Sequence, residues 1–211
     1  MFKSLIKRVA VELDRNKIPY MIIGGQAVLL YGEPRLTKDI DITLGVGIEE
    51  LSTIEKSVRS LGLSIESENI EDFVRETMVL PSKEDETGIR VDFVFSFSPF
   101  ERQAIERARE VIFDGTPVRF ASLEDTVILK IVAGRPRDIE DVRTILLKNP
   151  GFERPYIRSW LEEFDKALDE RCSRRFEDIL ADIARISGKR LARLGGTAKN
   201  LRSIPRRRSR S

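Results

Sequence analysis

The 211-residue chain contains no histidine and a single cysteine. Without histidine it can form neither a Ser-His-Asp triad nor a zinc site with histidine ligands. Cys172 cannot form an intrachain disulfide, and no histidine is present to activate it as a nucleophile. Any chemistry must therefore depend on carboxylates, lysine, arginine and hard metal ions.

Long apolar runs are also absent. Of the residues, 41% are hydrophobic and 34% are charged, and no segment approaches the ~20 apolar residues of a membrane helix. In the N-terminal segment, lysine and arginine are interleaved with apolar residues at helical spacing, which indicates an amphipathic helix rather than a secretory signal. We expect a cytoplasmic protein without membrane contact, and the single cysteine agrees with a reducing compartment.

The formal net charge of +2 conceals two regions of opposite sign. Residues 189–211 contain nine lysines and arginines and no acid, and subtracting these nine charges from +2 leaves −7 on residues 1–188. A basic segment with few apolar residues is typical of a disordered, phosphate-binding arm. The alternative is a solubilising terminus or a contact with a protein partner.

Hydrophobic periodicity predicts an α+β fold with a small mixed β-sheet and flanking helices. The predicted strands and hairpin occupy residues 20–23, 39–44, 89–95 and 111–120. Residues 64–88 are polar and poorly periodic, and residues 81–88 are predicted to form a loop or a hairpin tip. From residue 122 onward only helices are predicted, the last of them at about 174–187.

The acids of one predicted strand, Asp39 and Asp41, leave the same face with their Cα atoms roughly 6.6 Å apart. Carboxylates about 5 Å apart repel by roughly 3 kcal/mol at an effective dielectric constant of 20, so the pattern suits a divalent-metal site. Asp92 would complete a three-carboxylate magnesium site if its strand is adjacent. The alternatives are a solvated face neutralised by flanking basic residues, and an exposed Asp92 paired with Arg90.

Gly24 and Gly25 lie between a predicted buried strand and a predicted helix. Backbone N–H groups at this turn meet the positive end of the helix dipole, so the turn is suited to hold a triphosphate. The alternative is that the two glycines only allow a tight turn. The phosphate interpretation therefore depends on the acidic strand that follows.

The chain contains, in this order, Gly24-Gly25-Gln26-Ala27, Gly32, Pro34-Arg35, Thr37 and Asp39-Ile40-Asp41-Ile42. This series resembles the first motif of nucleotidyltransferases of the DNA polymerase β superfamily, and most closely the minimal nucleotidyltransferases and abortive-infection toxins. The resemblance covers roughly residues 18–145. Paired glycines replace the more usual glycine-serine, so a hydroxyl that could contact phosphate is missing.

The resemblance implies a nucleotidyltransferase-like catalytic domain at 1–121, a helical C-terminal portion at 122–188 and the basic tail at 189–211. It also implies two bound Mg²⁺ ions, with Mn²⁺ as an alternative. The implied metal ligands are Asp39, Asp41 and Asp92. The same three residues and Lys130 are the implied catalytic residues. The implied residues for binding ATP or another NTP are Gly24, Gly25, Arg35, Thr37 and Lys130.

Lys130 lies in an almost wholly apolar helical segment, where a lysine is rarely placed without a partner. We expect it to reach a nucleotide phosphate or to pair with a carboxylate; the alternative is outward extension to solvent. In the abortive-infection toxins, a similar segment supplies an active-site lysine, and the following Arg-Asp pattern resembles Arg137-Asp138 with Asp141. These three are expected to support the site, with Asp138 facing Lys130.

We predict a magnesium-dependent nucleotidyltransferase that transfers an NMP from an NTP to an acceptor hydroxyl and releases pyrophosphate. RNA such as tRNA is the favoured acceptor, with the tail as an electrostatic tether. Protein and small-molecule acceptors are alternatives, and an antitoxin is a candidate partner. A non-catalytic nucleotidyltransferase-like domain that binds nucleotide or a partner is favoured if Asp39, Asp41 and Asp92 fail to converge. A further alternative is an RNA-binding module whose body is a scaffold.

Overall fold

The described residues form one mixed β-sheet with helices on both faces. The computed structural model describes residues 2–34, 36–96 and 98–200, with side chains described to residue 186. The helices are α1 (Phe2–Arg15), α2 (Gly24–Tyr31), α3 (Leu51–Ser60), α4 (Ile70–Thr77), α5 (Pro99–Glu106), α6 (Leu123–Ala133), α7 (Pro136–Lys148), α8 (Arg154–Leu168) and α9 (Cys172–Asn200). The strands are β1 (Tyr20–Ile23), β2 (Asp39–Leu44), β3 (Ser64–Ile65), β4 (Val79–Glu84), β5 (Ile89–Phe95), β6 (Arg109–Phe113) and β7 (Thr116–Phe120). The predicted α+β class and helical C-terminal portion are confirmed.

The strand that carries the two aspartates lies at the centre of the sheet. The strand order is β3-β4-β5-β2-β1-β7-β6. Strand β2 pairs in parallel with β5 and antiparallel with β1. The adjacency that the sequence analysis required between the strands of Asp41 and Asp92 is therefore present.

Alternation along β2 separates a core face from a polar face. Ile40, Ile42 and Leu44 are fully buried in a core that also contains the apolar stripe of α1. Burial of an isoleucine or leucine side chain contributes about 1.5–3 kcal/mol relative to exposure. Because side chains alternate in a strand, this burial directs Asp39 and Asp41 to the opposite face.

A second core lies between the sheet and the C-terminal helices. It combines Met21 of β1 and Val28 of α2 with residues of α5 to α9. The Phe100 ring packs edge-on against Trp160 and Phe164, with centroid distances of 5.3 and 5.2 Å. The predicted helical portion thus shares a core with the predicted catalytic domain.

The prediction for residues 81–84 is wrong. They belong to β4, which pairs antiparallel with β5 from Val79 opposite Val94 to Glu84 opposite Ile89. The buried Ser82 hydroxyl donates to the Val91 carbonyl at 2.7 Å. Pairing with the next strand in a hairpin overrides the weak local pattern. Only residues 85–88 form the hairpin tip.

The C-terminal helix is longer than predicted. Helix α9 continues to Asn200, so the backbone of residues 189–200 is helical where a disordered tail was predicted. Leucine, alanine, lysine and arginine favour a helix, and they offset the cost of the paired glycines at 195–196. Residues 201–211 of the predicted tail lie outside the described residues. None of the described helices is long and apolar enough to cross a membrane.

A buried carboxylate network fastens α8 to the start of α6. Asp125 is completely buried and accepts hydrogen bonds from the Ser122 hydroxyl at 2.5 Å and the Tyr156 hydroxyl at 2.7 Å. The Arg107 guanidinium lies 4.0 Å from the centre of the Tyr156 ring. Burial raises the pKa of Asp125, and the Ser122 and Tyr156 hydroxyls and the Arg107 guanidinium oppose this shift without cancelling it.

Replacing Tyr156 by phenylalanine tests this network. Tyr156→Phe keeps the ring beneath Arg107 but removes a hydrogen bond to a buried carboxylate, so the free energy of unfolding should fall by about 1.5–3 kcal/mol. Urea denaturation measures the change. Ser159→Ala, at an exposed position of the same helix, should change it by less than about 0.5 kcal/mol. Equal stability of Tyr156→Phe and the wild type would contradict the role of the network.

Candidate active site

The register of β2 and β5 brings two aspartates side by side. Asp41 is the direct partner of Asp92, and Asp39 is the partner of Arg90. Neighbouring strands lie about 4.8 Å apart, and paired residues of parallel strands point to the same face. Asp39, Asp41 and Asp92 are all half-buried on that face.

The environment of Asp92 is unfavourable to its negative charge. Burial raises the pKa of Asp92; the Arg90 guanidinium opposes this shift, and the charges of Asp41 and Asp39 add to it. Arg90 Nη2 lies 3.8 Å from Asp92 Oδ1. That oxygen is buried and accepts no hydrogen bond from the described residues. Asp92 thus offers an unused acceptor to a cation.

Carboxylates are suitable ligands for a hard divalent ion, but these three are not placed to bind one ion together. Oxygen ligands are those that Mg²⁺ prefers, and Asp92 Oδ1 is an unused one. Among the described side chains, however, no group of three or more Asp, Glu, His or Cys residues is placed to hold a metal ion. The three-carboxylate metal site therefore stays a prediction.

Gly24 makes the turn that places α2 against the acidic strand. Its φ is +62°, a left-handed conformation, and Ile23 beside it pairs with Asp41. A Cβ at residue 24 would overlap Asp41 Oδ2 and lie 2.8 Å from Asp41 Cγ. Ile23 is the N-cap of α2 and provides no side-chain cap. The backbone angle thus favours glycine, and a Cβ at this residue would displace the Asp41 carboxylate.

Lys130 is buried and ion-paired with two aspartates. Its Nζ lies 2.5 Å from Asp138 Oδ1 and 3.0 Å from Asp141 Oδ2, and these side chains are 7%, 3% and 9% exposed. The prediction that Asp138 faces Lys130 is confirmed, and the alternative of outward extension to solvent is wrong. Burial acts to raise the pKa of Asp138, but hydrogen bonds from Arg135 and Lys130 outweigh it and lower the pKa.

One cavity joins these groups. It has a volume of about 260 Å³. Its lining comprises Ile23, Gly24, Asp41, Thr126, Leu129, Lys130, Ala133 and Arg135. The glycine turn, the acidic strand and the lysine helix, which are separated in the sequence, therefore meet at one place.

Comparison with known families gives this arrangement a context. The family model described as "Nucleotidyl transferase AbiEii toxin, Type IV TA system" matches residues 16–205. The chain belongs to this family. It is a nucleotidyltransferase with the features of a toxin of a type IV toxin–antitoxin system, which confirms the resemblance drawn from the first motif.

Solved structures show the same fold at low sequence identity. The antibiotic-resistance factor ANT(2'')-Ia has a TM-score of 0.56 and 19% identity, over 79% of this chain and 94% of that one. An antigenic nucleotidyltransferase-like protein from Paracoccidioides brasiliensis has a TM-score of 0.52 and 17% identity, over 78% of this chain and 87% of that one. No curated protein sequence matches the chain.

Two predicted residues of the nucleotidyltransferase site contact backbone carbonyls of residues that do not line its cavity. The Thr37 hydroxyl lies 3.4 Å from the Asp39 carbonyl, and Arg137 Nη2 donates to the Leu36 carbonyl at 3.2 Å. Neither side chain lines the cavity that contains Lys130. Their predicted roles in nucleotide binding and support stay predictions. Arg35 lies outside the described residues.

Arg135 is a cavity residue that the sequence analysis did not select. Its Nε donates to Asp138 Oδ2 at 2.5 Å, and its side chain is 74% exposed. The usable signal was its spacing of three residues from Asp138, because such residues are neighbours on a helix surface. The sequence motif pointed instead to Arg137, which is adjacent to Asp138.

Gly24→Ala should disable the site. A left-handed backbone costs a residue with a Cβ about 1–2 kcal/mol, and at residue 24 the overlap with Asp41 adds to that cost. Nucleotide transfer and urea denaturation measure the two effects. Gly115→Ala is the matched control, because Gly115 has a φ of +80° but nothing within 4 Å of an added Cβ. Both variants should lose stability, and only Gly24→Ala should lose transfer; full activity in Gly24→Ala would disprove the close approach.

Asp138→Asn should lower stability in a pH-dependent way. Because the pKa of Asp138 is lowered in the folded protein, its carboxylate stabilises the fold above the ordinary pKa of about 3.9, and this contribution is lost as pH falls through the folded value. At pH 7 the free energy of unfolding should fall by about 1.5–3 kcal/mol. Urea denaturation of both proteins should show this difference shrinking below about pH 4. A difference independent of pH would contradict the ion pair.

Proposed function

We propose that this nucleotidyltransferase transfers an NMP from an NTP to an acceptor hydroxyl in a magnesium-dependent reaction. The observation that carries the proposal is the position of Asp41, which is opposite Asp92 in the sheet and in contact with the Gly24 turn. A phosphate-binding turn and a carboxylate pair on one face are the two parts that such a transfer needs.

The acceptor oxygen attacks the α-phosphorus and forms a new P–O bond. The bond from that phosphorus to the oxygen bridging the α- and β-phosphates breaks, and pyrophosphate leaves with the electron pair. Asp92 helps to deprotonate the acceptor hydroxyl, since the chain contains no histidine base. Gly24 and Gly25 hold the β- and γ-phosphates, and Lys130 contributes positive charge beside them.

Asp39, Asp41 and Asp92 would hold the magnesium ions. When bound, such ions neutralise charge on phosphate oxygens and increase the acidity of an acceptor hydroxyl. The unused Asp92 Oδ1 and the excess of negative charge on this face support the assignment. ATP is one candidate donor: ANT(2'')-Ia, which has a similar fold at 19% identity and a TM-score of 0.53, has been solved with adenylyl-2''-tobramycin.

For the acceptor we propose RNA. The support is the composition of residues 189–211, which carry nine basic residues and no acid. Each phosphate that a basic residue neutralises adds about one to the slope of log binding constant against log salt concentration.

The type IV toxin–antitoxin description of the family also supports an antitoxin as a partner.

Label transfer tests the proposed reaction. Each α-labelled NTP is incubated with Mg²⁺ and total RNA or a protein extract, with wild type or Asp39→Ala/Asp41→Ala. The wild type should label RNA, and the variant should lose at least about 100-fold in rate because the developing charge is no longer compensated. Digestion of the product by ribonuclease or protease identifies the acceptor.

The matched control is Glu162→Ala/Glu163→Ala, which also removes two negative charges but from the exposed surface of α8. It should label RNA as the wild type does. No transfer by the wild type with any of the four nucleotides and either extract would overturn the proposal. NTP binding without transfer in the same samples would instead support a nucleotide-binding module, which the separation of the three carboxylates favours.

A further inference from the structure

Lys130 is poorly placed to meet a nucleotide directly. Its ammonium group is enclosed, with 7% of the side chain exposed, and two carboxylates lie within 3.0 Å of it. A lysine has three N–H donors and no planar fork. Two carboxylates face this ammonium group, so at most one N–H donor is left for a phosphate. Any larger movement of Lys130 would leave a buried carboxylate without its cation, which is costly.

Arg135 has the opposite properties. It is the N-cap residue of α7 and lies at the cavity that also contains Gly24 and Asp41. Asp138 accepts from its Nε at 2.5 Å and from its Nη2 at 3.4 Å, while 74% of the side chain is exposed. A guanidinium has five N–H donors, so further donors are left for an anion.

Asp138 connects the two cations. Its Oδ1 accepts from Lys130 and its Oδ2 accepts from Arg135, so one carboxylate fixes both. Lys130, which is also paired with Asp141, holds Asp138 from the buried side. This arrangement orients the exposed guanidinium at the cavity without engaging all of its donors. Arginine pairs with phosphate oxygens through two parallel N–H bonds, which an ammonium group cannot do.

We propose that Arg135 is the side chain that contacts the β- and γ-phosphates held at the Gly24 turn, and that Lys130 is a positioning residue that acts through Asp138 and does not itself contact the phosphates. This inference rests on the proposed nucleotidyl transfer. It assigns the charge beside the leaving pyrophosphate to an exposed side chain, and it gives the buried lysine a task that does not require it to move.

Binding of inorganic tripolyphosphate in the presence of Mg²⁺ tests the inference without turnover. By calorimetry, Arg135→Gln should bind it about tenfold or more weakly than the wild type, which corresponds to about 1.4 kcal/mol. Arg135→Lys should recover only part of the affinity, since it keeps the charge but loses the planar fork. In transfer assays, the KM for NTP should rise by a similar factor in Arg135→Gln.

Arg158→Gln is the matched control. Arg158 is also exposed and has its Nε on a carboxylate, that of Glu162 at 2.9 Å, but it lies on α8. Its affinity for tripolyphosphate should equal that of the wild type. Unchanged affinity in Arg135→Gln would overturn the inference, even if its unfolding temperature falls, because that pattern indicates a structural role alone. Absence of transfer by the wild type would instead count against the proposed reaction, since the affinity comparison needs no turnover.

Discussion

The buried ion pair between Lys130 and two aspartates connects the parts of the chain on which the site depends. Lys130 belongs to α6, and Asp138 and Asp141 belong to α7. Charges taken out of water are tolerated only with close partners, so each of these side chains restricts where the other helix can lie. The same pair fixes Asp138, and through it the exposed Arg135. A contact that stabilises the helix packing thereby also sets the electrostatics of the cavity.

The sheet supplies the opposite sign of charge. Its central strand β2 presents Asp39 and Asp41 beside Asp92, and the charges of Asp41 and Asp39 act together with burial to raise the pKa of Asp92. Such an arrangement is unfavourable for folding by itself, since like charges repel and burial disfavours ionisation. Proteins accept this kind of local conflict at functional sites. The exposed Arg135 guanidinium and the Asp41 carboxylate of the sheet thus line one cavity with the Gly24 turn.

The local sequence pattern was sufficient to predict those elements in which apolar residues recur with a clear period. Alternation in residues 39–44 identified β2 and the direction of its aspartates, and the apolar surroundings of Lys130 indicated a buried partner. Strand β4 was missed because its residues lie in a polar and poorly periodic region, and its stability comes from hairpin pairing with β5, which the pattern of residues 79–84 does not reveal. Arg135 was missed because contact in a helix follows a spacing of three or four residues, whereas the sequence motif emphasised the adjacent Arg137. The position of Asp41 directly opposite Asp92 could not be predicted, because it depends on the register between β2 and β5, which are far apart in the sequence.

The pairing of β2 with β5 changes only in whole residues. Because side chains alternate, a shift of β5 by one position would turn Asp92 to the core face and bring Val91 or Phe93 to the acidic face. Geometry at this site therefore cannot drift gradually as the sequence changes during evolution. Insertions at the tip formed by residues 85–88 can be absorbed by a longer loop, since both strands keep their pairing. A single insertion between Ile89 and Asp92 would instead remove one carboxylate from the site in one step.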